Sequence, residues 1–458
     1  MNQANPLKSN RHYYKSLDKR SRNQQSIFGA MTLKMENLVL DKSTSDVNNA
    51  SAIQSQSENP RLSLPDFISA KMAYFQEELI FKNKNGTPLV IGKSPLENSI
   101  VLQSNDYLNI SNHPRIVKDQ IDVLSRQKRD PLMSSSFLQD NSMIRRFEKR
   151  MAAYVGYEKA MLFTSGWSAN IGLMEAIADE HTNVYIDFFT HMSLWEGIKT
   201  CGAKPLAFRH NDTAHLERLI KQNGPGIILV DSVYSTIGTI CPLVEIANIA
   251  EKYGCAFVVD ESHSLGLYGP QGAGLVAELN ITNKVHFITA SLAKAFAGRA
   301  GIVFSLNDVI RCMPYICNPA IFSSTMLNHE VAALSATLDL IVESDSKRKE
   351  LHEKAAYFRE HLIALGYAVS SESHIVSIEV GKNADIEIFR DALEERDIFG
   401  AVFCAPAAPK NRALMRFSLH SDLTYAQLDY IIEVCEDIRS QVGMKNWKST
   451  RRFSGRSR

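Results

Sequence analysis

Two stretches of sequence decide the fold of this chain: residues 255–264, CAFVVDESHS, and residues 285–296, VHFITASLAKAF. Each begins as a short apolar run, which is typical of a strand buried on both faces, and continues into polar residues. In open α/β sheets, ligands bind beyond the carboxyl ends of the strands. The sequence therefore predicts that Asp260, His263 and Lys294 lie close together at one edge of a sheet.

The sequence on either side of these stretches predicts the rest of the architecture. From residue 160 onward, apolar runs alternate with segments of helical length; the runs are 160–163, 184–186, 226–230, 256–259, 285–289 and 301–304. Strands separated by helices need crossover connections, so we expect a mostly parallel sheet covered by helices on both faces. After Pro319 the pattern changes to long helices over 326–365, strands over 373–379 and 415–419, and a helix over 425–442. This change predicts a second, smaller α/β domain.

Composition and charge exclude several classes of protein. The chain has 458 residues, of which 45% are apolar, so it can form a large core and more than one domain. Its 51 Lys and Arg residues balance 50 Asp and Glu residues, which argues against nucleic acid as a partner. The seven cysteines form no C-x-x-C pair, and we interpret them as reduced thiols of a cytoplasmic protein. No apolar run approaches the roughly 20 residues of a membrane span, so we expect none.

A carboxylate, an imidazole and a lysine at one sheet edge match the chemical needs of pyridoxal 5'-phosphate. A lysine amine forms a Schiff base with the aldehyde, a carboxylate keeps the pyridine nitrogen protonated, and an imidazole can bond the phenolic oxygen. Lys294 lies in an apolar stretch, LAKAF, over residues 292–296. Desolvation lowers the pKa of a lysine and favours its neutral, nucleophilic amine.

Metal binding is the alternative use of these strand-end groups. Asp260, Glu261 and His263 could act as ligands, because adjacent carboxylates at a strand end bind magnesium. No residue nearby completes a ligand set, so we expect no metal site. Pairing with a protonated pyridine nitrogen explains the position of Asp260 better.

The segment around Gly166 and Trp167 is a candidate phosphate site. It follows a predicted strand and begins a helix, where unpaired N–H groups and the helix dipole attract anions. A plain helix-capping turn is the alternative. The segment is not the Gly-x-Ser-x-Gly motif of hydrolases, because Asn170 stands where that motif needs glycine. Ser291, three residues before Lys294, is placed to bond the same phosphate.

His191 and Arg416 are two further candidates. His191 closes a strand and could lie flat on a cofactor ring, although an ordinary loop histidine is the alternative. Arg416 lies in an alternating strand of the small domain, and arginine binds carboxylates bidentately. Its alternative is an arginine on the surface of a strand.

The chain divides into five predicted segments. Residues 1–60 are rich in Asn, Ser, Gln and Lys without apolar periodicity, which predicts a disordered N-terminal extension. Met31 and Met35 are alternative start sites, so the sequence leaves open how much of this extension is expressed. The other segments are an N-terminal segment, a large pyridoxal-phosphate-binding domain, a linking helix with a small C-terminal domain, and a basic tail: 61–110, 111–325, 326–442 and 443–458.

Taken together, these residues resemble the α-oxoamine synthase family of fold-type I pyridoxal-phosphate enzymes over about residues 62–440. The resemblance implies a large domain with a mostly parallel seven-stranded sheet, and decarboxylative condensation of an amino acid with an acyl-CoA. It also implies a role for each matching residue. Lys294 would bind the cofactor covalently, Asp260 would pair with the pyridine nitrogen, His263 would contact the phenolic oxygen, and His191 would stack on the ring.

The resemblance implies further contacts to phosphate and substrate. The backbone of Gly166 and Trp167, together with Ser291, would bind the phosphate, and Arg416 would bind the substrate carboxylate. The run FSST at residues 322–325 matches a segment that reaches the phosphate from the other subunit. Ser324 in that run therefore implies a homodimer with a shared active site.

Within the family, several strings are most similar to the bacterial α-hydroxyketone autoinducer synthases of quorum sensing: YIDFF at 185–189, HMSLWEG at 191–197, VDESHSLG at 259–266, TASLAK at 289–294, PAIFSST at 319–325 and MSSSFLQ at 133–139. This likeness implies a medium or long acyl-CoA, and 2-aminobutyrate or S-adenosylmethionine as amino donor. One departure leaves substrate affinity and choice open, because related synthases usually carry Arg where this chain has Ala405.

Two other interpretations remain open at the level of sequence. The first is a primary-metabolic member that uses glycine, alanine or serine: 8-amino-7-oxononanoate synthase, 2-amino-3-ketobutyrate ligase, 5-aminolevulinate synthase or serine palmitoyltransferase. The second is a catalytically inactive subunit that only supports an active partner. The presence of Lys294, Asp260, His191 and His263 together argues against the second.

Overall fold

A computed structural model describes residues 63–75, 89–126 and 132–449. The chain divides into two compact units, Met1–Ser69 and Ala70–Arg458, and both sheets lie in the second. The predicted N-terminal extension over 1–60 and the end of the basic tail lie outside the described residues. The predicted domain boundaries within the second unit stay predictions.

The described residues form eleven strands and fourteen α-helices. The strands are β1 Ile100–Leu102, β2 Lys159–Phe163, β3 Asn183–Asp187, β4 Lys204–Phe208, β5 Ile227–Asp231, β6 Ala256–Asp260, β7 Phe287–Ser291, β8 Gly301–Ser305, β9 Ile375–Gly381, β10 Ile398–Phe403 and β11 Ala413–Ser418. The helices are α1 Asp66–Phe75, α2 Pro114–Arg126, α3 Met143–Val155, α4 Gly166–Ile177, α5 Met192–Cys201, α6 Thr213–Asn223, α7 Leu243–Tyr253, α8 Leu275–Glu278, α9 Val309–Ile316, α10 Asn318–Ile321, α11 Asn328–Val342, α12 Asp345–Ala364, α13 Asn383–Glu394 and α14 Tyr425–Asp437.

The large sheet has seven strands in the order β2-β8-β7-β6-β5-β3-β4. Only β8 runs opposite to the others, pairing antiparallel with both β2 and β7. All five residues of β5 are buried, as are four of the five in β6, because helices cover both faces of the sheet. The predicted α/β fold is confirmed, and each of the six strands predicted for this sheet is found within two residues of its predicted position.

Strands β4 and β10 escaped prediction for a physical reason. β4 lies at the edge of the large sheet, contains Pro205 and is mostly exposed, so it has no continuous apolar run. β10 belongs to the small sheet and is interrupted by Gly400, where a Cβ atom would lie 2.5 Å from the sulfur of Met415. In both strands the neighbours, and not the local pattern, favour the extended conformation.

The small sheet joins distant parts of the chain in the order β1-β10-β11-β9. β1 pairs parallel with β10, so that Ile100 lies opposite Ile398, almost 300 residues later in the sequence. The strand order brings Arg416, on the buried strand β11, close to the large sheet. A residue of the small sheet thereby becomes available to a site at the edge of the large one.

The loop after β5 connects the two sheets by direct hydrogen bonds. The hydroxyl groups of Ser371 and Ser377 donate to the carbonyl oxygens of Ile237 and Thr236, both at 2.6 Å. Gly238, in the same loop, accepts from the backbone N–H of residues 372 and 373 at 2.9 and 3.1 Å. The loop therefore depends on the small sheet for its conformation.

No helix among residues 63–75, 89–126 and 132–449 is long and apolar enough to cross a membrane.

Gly238 provides a test of the connection between the two sheets. Its φ is +68°, and a Cβ atom there would lie 2.0 Å from the carbonyl oxygen of Ile375, so Gly238→Ala combines backbone strain with a clash. The control is Gly254→Ala, because Gly254 has a φ of +64° but no atom within 4 Å of the added carbon. Strain alone costs about 1–2 kcal/mol. We expect a clearly lower thermal unfolding midpoint for Gly238→Ala than for Gly254→Ala in the same buffer; equal midpoints would contradict the tight contact.

Candidate active site

A cavity of about 580 Å³ lies between the carboxyl ends of the large-sheet strands and the small sheet. It brings together eight of the nine site residues predicted from sequence: Gly166, Trp167, His191, Asp260, His263, Ser291, Lys294 and Arg416. The ninth, Ser324, does not line the cavity in this chain.

Asp260 ends β6 and is buried, with 5% of its surface exposed. One carboxylate oxygen accepts from the side-chain amide of Asn170 at 2.8 Å, and the other accepts from the backbone N–H of Ser262 at 2.8 Å. Asn170 also donates to Ser193, so its amide is held between two partners. Asp260 thus presents an oriented carboxylate to the cavity without an ion-pair partner among the described residues.

Lys294 follows β7 and is half-buried at the cavity wall. Burial is the main cause that lowers the pKa of its amine to about 8, and the positive charge of Arg416 lowers it further. The negative charge of Asp260 acts in the opposite direction. A substantial neutral fraction near physiological pH makes this amine a competent nucleophile.

His263 lines the cavity, is otherwise buried, and contacts Tyr107. Its Nδ1 lies 2.7 Å from the phenolic oxygen of Tyr107. Burial is the main cause that holds the pKa of His263 well below its usual range, with the charges of Lys294 and Arg416 adding to the effect. The ring is therefore neutral and can exchange hydrogen bonds in both directions.

His191 caps the N-terminus of α5 and faces the cavity. Its Nδ1 accepts from the backbone N–H of Ser193 at 3.3 Å and lies 2.8 Å from the Ser193 hydroxyl. Its backbone N–H donates to the carboxyl of Asp231, at 3.1 Å to the nearer oxygen. Although the ring is accessible from the cavity, desolvation by the surrounding protein lowers its pKa, against the effect of Asp260. The edge of Trp167 contacts the ring, at 6.4 Å between centroids.

The N-terminus of α4 lies directly against the end of β7. A Cβ atom on Gly166 would lie 2.9 Å from the Cα of Ser291, so only glycine fits there. The first hydrogen bond of the helix runs from the N–H of Ala169 to the carbonyl of Ser165 at 3.0 Å. The N–H groups of Gly166 and Trp167 precede this bond, as anion binding at a helix N-terminus requires.

Arg416 is buried, with 5% of its surface exposed, so the alternative of a surface arginine is wrong. Its guanidinium donates to the carbonyl of Ser235 and to the side-chain oxygen of Asn105, both at 2.9 Å, and lies 4.8 Å from the centre of the Phe403 ring. Its Nε has no partner among the described residues. A buried cation at a cavity wall suits a carboxylate ligand.

Ser324 and Glu261 lie away from the cavity. Ser324 is exposed and forms an isolated bridge with Ser134. Glu261 is buried, accepts from the backbone N–H of Val276 at 2.8 Å, and has its pKa raised by burial to about 8. No group of three potential metal ligands occurs in the described parts of the chain.

Sequence reasoning missed four residues of the site: Asn105, Tyr107, Asn170 and Asp231. Asp231 could have been predicted from the sequence, because it directly follows the apolar run at 226–230, just as Asp260 directly follows the run at 256–259. Burial and the charge of Asp260 hold its pKa well above the usual range. The other three act through contacts that no local pattern reveals.

Large apolar side chains surround the opening of the cavity. Trp167, Phe188 and Met192 expose 45–58% of their surface, and Trp195 is partly exposed beside them. We call these four residues the apolar rim. It contrasts with the polar groups at the base of the cavity.

The residues at the base fit pyridoxal phosphate. The oriented, buried carboxylate of Asp260 suits a protonated ring nitrogen, and the lysine with a lowered pKa suits an aldehyde. At Gly166 the absence of a side chain leaves the helix N-terminus accessible to an anion. These are observations on the chain itself and do not depend on any relative.

Comparison with known proteins agrees with this chemistry. The family model Aminotransferase class I and II matches residues 97–434. The chain is 46% identical to the CAI-1 autoinducer synthase of Vibrio campbellii over 82% of this chain and 95% of the relative. It is 28% identical to an 8-amino-7-oxononanoate synthase of Coprothermobacter proteolyticus, over 78% and 91%. The solved structure of a Sphingomonas wittichii serine palmitoyltransferase has the same fold, with a TM-score of 0.72, 20% identity, and coverage of 82% and 97%.

The fold and the site therefore define a pyridoxal-phosphate-dependent enzyme of the acyltransferase type. The chain belongs to the aminotransferase class I and II family, and within it to the α-oxoamine synthases.

The lowered pKa of Lys294 predicts unusual reactivity of its amine. In the cofactor-free protein, pulse labelling with acetic anhydride between pH 6 and 10 should acetylate Lys294 with a midpoint near pH 8, and not near the ordinary lysine value of 10.5. At pH 7 about one tenth of the amine would be neutral. Mass spectrometry would compare Lys294 with the exposed Lys349. Arg416→Ala should raise the midpoint, because a positive neighbour is removed; an unchanged midpoint would exclude the electrostatic cause.

Proposed function

We propose that this enzyme condenses a medium or long acyl-CoA with 2-aminobutyrate or S-adenosylmethionine, with loss of the donor carboxylate. The product would be an α-aminoketone, the precursor of an α-hydroxyketone quorum-sensing autoinducer. One observation supports this most directly: the cavity joins Lys294, Asp260 and Arg416 at its base to the apolar rim at its opening. The 46% identical relative, a CAI-1 autoinducer synthase, supports an autoinducer as the end product.

The residues at the base divide the work of the reaction. When bound, pyridoxal phosphate supplies an electron sink for the α-carbon of the amino donor. Asp260 would maintain the proton on the ring nitrogen, and His263 would bond the phenolic oxygen. His191 would lie against the ring, while the N–H groups of Gly166 and Trp167, with Ser291, would hold the phosphate.

Substrate handling falls to Lys294 and Arg416. The guanidinium of Arg416 would hold the carboxylate of the amino donor and so orient its α-carbon toward Lys294. The amine of Lys294 would then take the α-proton, for which a pKa near ambient pH is well suited. Removal of water from the bottom of the cavity would strengthen the interaction of Arg416 with the donor carboxylate. It would also strengthen the interaction of Lys294 with the α-proton.

The apolar rim would bind the acyl chain. Each methylene that a substrate buries contributes about 0.8 kcal/mol, so a rim of four large apolar side chains favours longer chains over shorter ones. This preference would set the enzyme apart from family members that handle other acyl groups. We place the activity in the cytoplasm, where the reduced state of the seven cysteines is maintained.

We further propose that the enzyme is a homodimer with a shared active site. Leu132, Phe137, Tyr315 and Phe322 expose 67–82% of their surface. Hydrogen bonds join the segments that carry them, from Thr325 N–H to the Met133 carbonyl at 2.8 Å and from the Ser136 hydroxyl to the Pro314 carbonyl at 2.5 Å. Exposed apolar side chains on joined segments suit an interface, and such an interface would carry Ser324 to the phosphate of the second subunit.

Free CoA release tests the proposed reaction. The cofactor-loaded protein would be assayed with acyl-CoA substrates of increasing length against a panel of amino donors. We expect the highest release with medium or long acyl chains combined with 2-aminobutyrate or S-adenosylmethionine. Lys294→Ala, which removes the proposed base, should abolish release. Activity confined to glycine, alanine or serine would contradict the proposal and indicate a primary-metabolic synthase.

Mixed dimers test the shared site. Ser324→Asp would place a negative charge beside the phosphate, and because Ser324 is exposed, the substitution should not disturb folding. A dimer of one Lys294→Ala subunit and one Ser324→Asp subunit would contain one intact site if Ser324 serves the other subunit. Such differently tagged mixed dimers should recover about half of the wild-type activity. No recovery above the two parent variants would show that Ser324 does not act across the interface.

A further inference from the structure

Tyr107 lies behind the cavity wall and contacts two residues that line it. The side chain is fully buried, and its phenolic oxygen lies 2.7 Å from Nδ1 of His263 and 3.1 Å from the side-chain oxygen of Asn105. The same oxygen of Asn105 accepts from Arg416 at 2.9 Å. A single chain of hydrogen bonds therefore joins Arg416, Asn105, Tyr107 and His263.

The number of hydrogen atoms available in this series of hydrogen bonds determines where its protons must lie. Tyr107 has one phenolic hydrogen and cannot donate it to both His263 and Asn105. Both contacts are satisfied only when Nδ1–H of His263 donates to Tyr107 and Tyr107 donates to Asn105. The second nitrogen of the neutral His263 ring is then without a hydrogen and can accept. An unsatisfied contact in so buried a place is costly, which favours this arrangement.

We propose that Tyr107 is a positioning residue that fixes the ring orientation and proton position of His263 and couples them to the substrate-binding Arg416. The inference rests on the proposed function for the roles of His263 and Arg416. Tyr107 itself does not line the cavity. Through Asn105 it holds the donor geometry of Arg416, and through Nδ1 it holds the imidazole.

The neighbours of Tyr107 supply an internal control. The ring of His374 lies edge-on to Tyr107, at 4.2 Å between centroids, and the ring of Tyr268 lies 6.2 Å from that of His374. Tyr268 is also buried, with 8% of its surface exposed against none for Tyr107, and in the described parts of the chain it forms no hydrogen bond with His263 or Asn105. The titratable or charged groups that face His263 are Lys294, Arg416, His374 and His191.

The test compares Tyr107→Phe with Tyr268→Phe, since each removes one hydroxyl from a buried tyrosine. In the substrate-free holoenzyme, the pH titration of the cofactor's visible absorption should shift its midpoint in Tyr107→Phe and stay as in wild type in Tyr268→Phe. The same absorption also reports binding of the amino donor, 2-aminobutyrate or S-adenosylmethionine. The dissociation constant for this donor should rise about 5- to 10-fold in Tyr107→Phe only. Tyr107→Phe should also have the lower thermal midpoint, because it leaves His263 and Asn105 without a buried partner, so both variants are compared at a temperature at which each is folded.

Two outcomes would overturn the inference. The first is that both variants behave alike in the pH titration and in donor binding, which would indicate a purely structural role for Tyr107. The second is a rise in the donor dissociation constant without any change in the pH titration, which would show that His263 is not coupled. Neither readout uses an acyl-CoA, so a failure of the proposed reaction would leave the test of Tyr107 intact.

Discussion

The buried carboxylate of Asp260 is the group on which the rest of the site depends. Burying a carboxylate without partners is very unfavourable, and here the amide of Asn170 and the N–H of Ser262 offset that cost. Asn170 lies on α4, whose N-terminus is pressed against the end of β7 at Gly166. Helix α4 thus orients the Asp260 carboxylate and also presents its N-terminal N–H groups to an anion. The carboxylate and the anion site therefore depend on the same helix.

The titratable side chains around Asp260 are of two kinds, some neutral and some charged. Burial keeps His263 neutral and raises the pKa of Asp231, while Arg416 keeps its charge within the same cavity. Lys294 lies between these groups, with its pKa lowered to about 8. An enzyme of this family needs neutral and charged groups side by side, because a carboxylate must pair with the cofactor ring while a lysine must lose its proton.

The small sheet completes the site and controls its geometry. Arg416 reaches the cavity from β11, and its hydrogen bond to the Ser235 carbonyl fixes the loop after β5 from the other side. Ser371 and Ser377 hold the same loop through Ile237 and Thr236. Arg416 and the small sheet therefore hold the same loop at the border of the large sheet, through Ser235, Thr236 and Ile237.

The sequence by itself determined the strand-end residues of the large sheet. Asp260, His263, Ser291 and Lys294 follow continuous apolar runs, and parallel strands must end at one edge, so local pattern and topology were enough. Local pattern also singled out Gly166, Trp167, His191 and Arg416, all of which line the cavity. The resemblance to the α-oxoamine synthases alone supplied Ser324, which lies outside it. Only the tertiary structure decided the partners of these residues. Asn105, Tyr107 and Asn170 act through hydrogen bonds across as many as 311 positions of sequence, and β1 pairs with β10 over a similar span. Such contacts depend on how the two sheets pack, and packing leaves no periodic signal in the sequence.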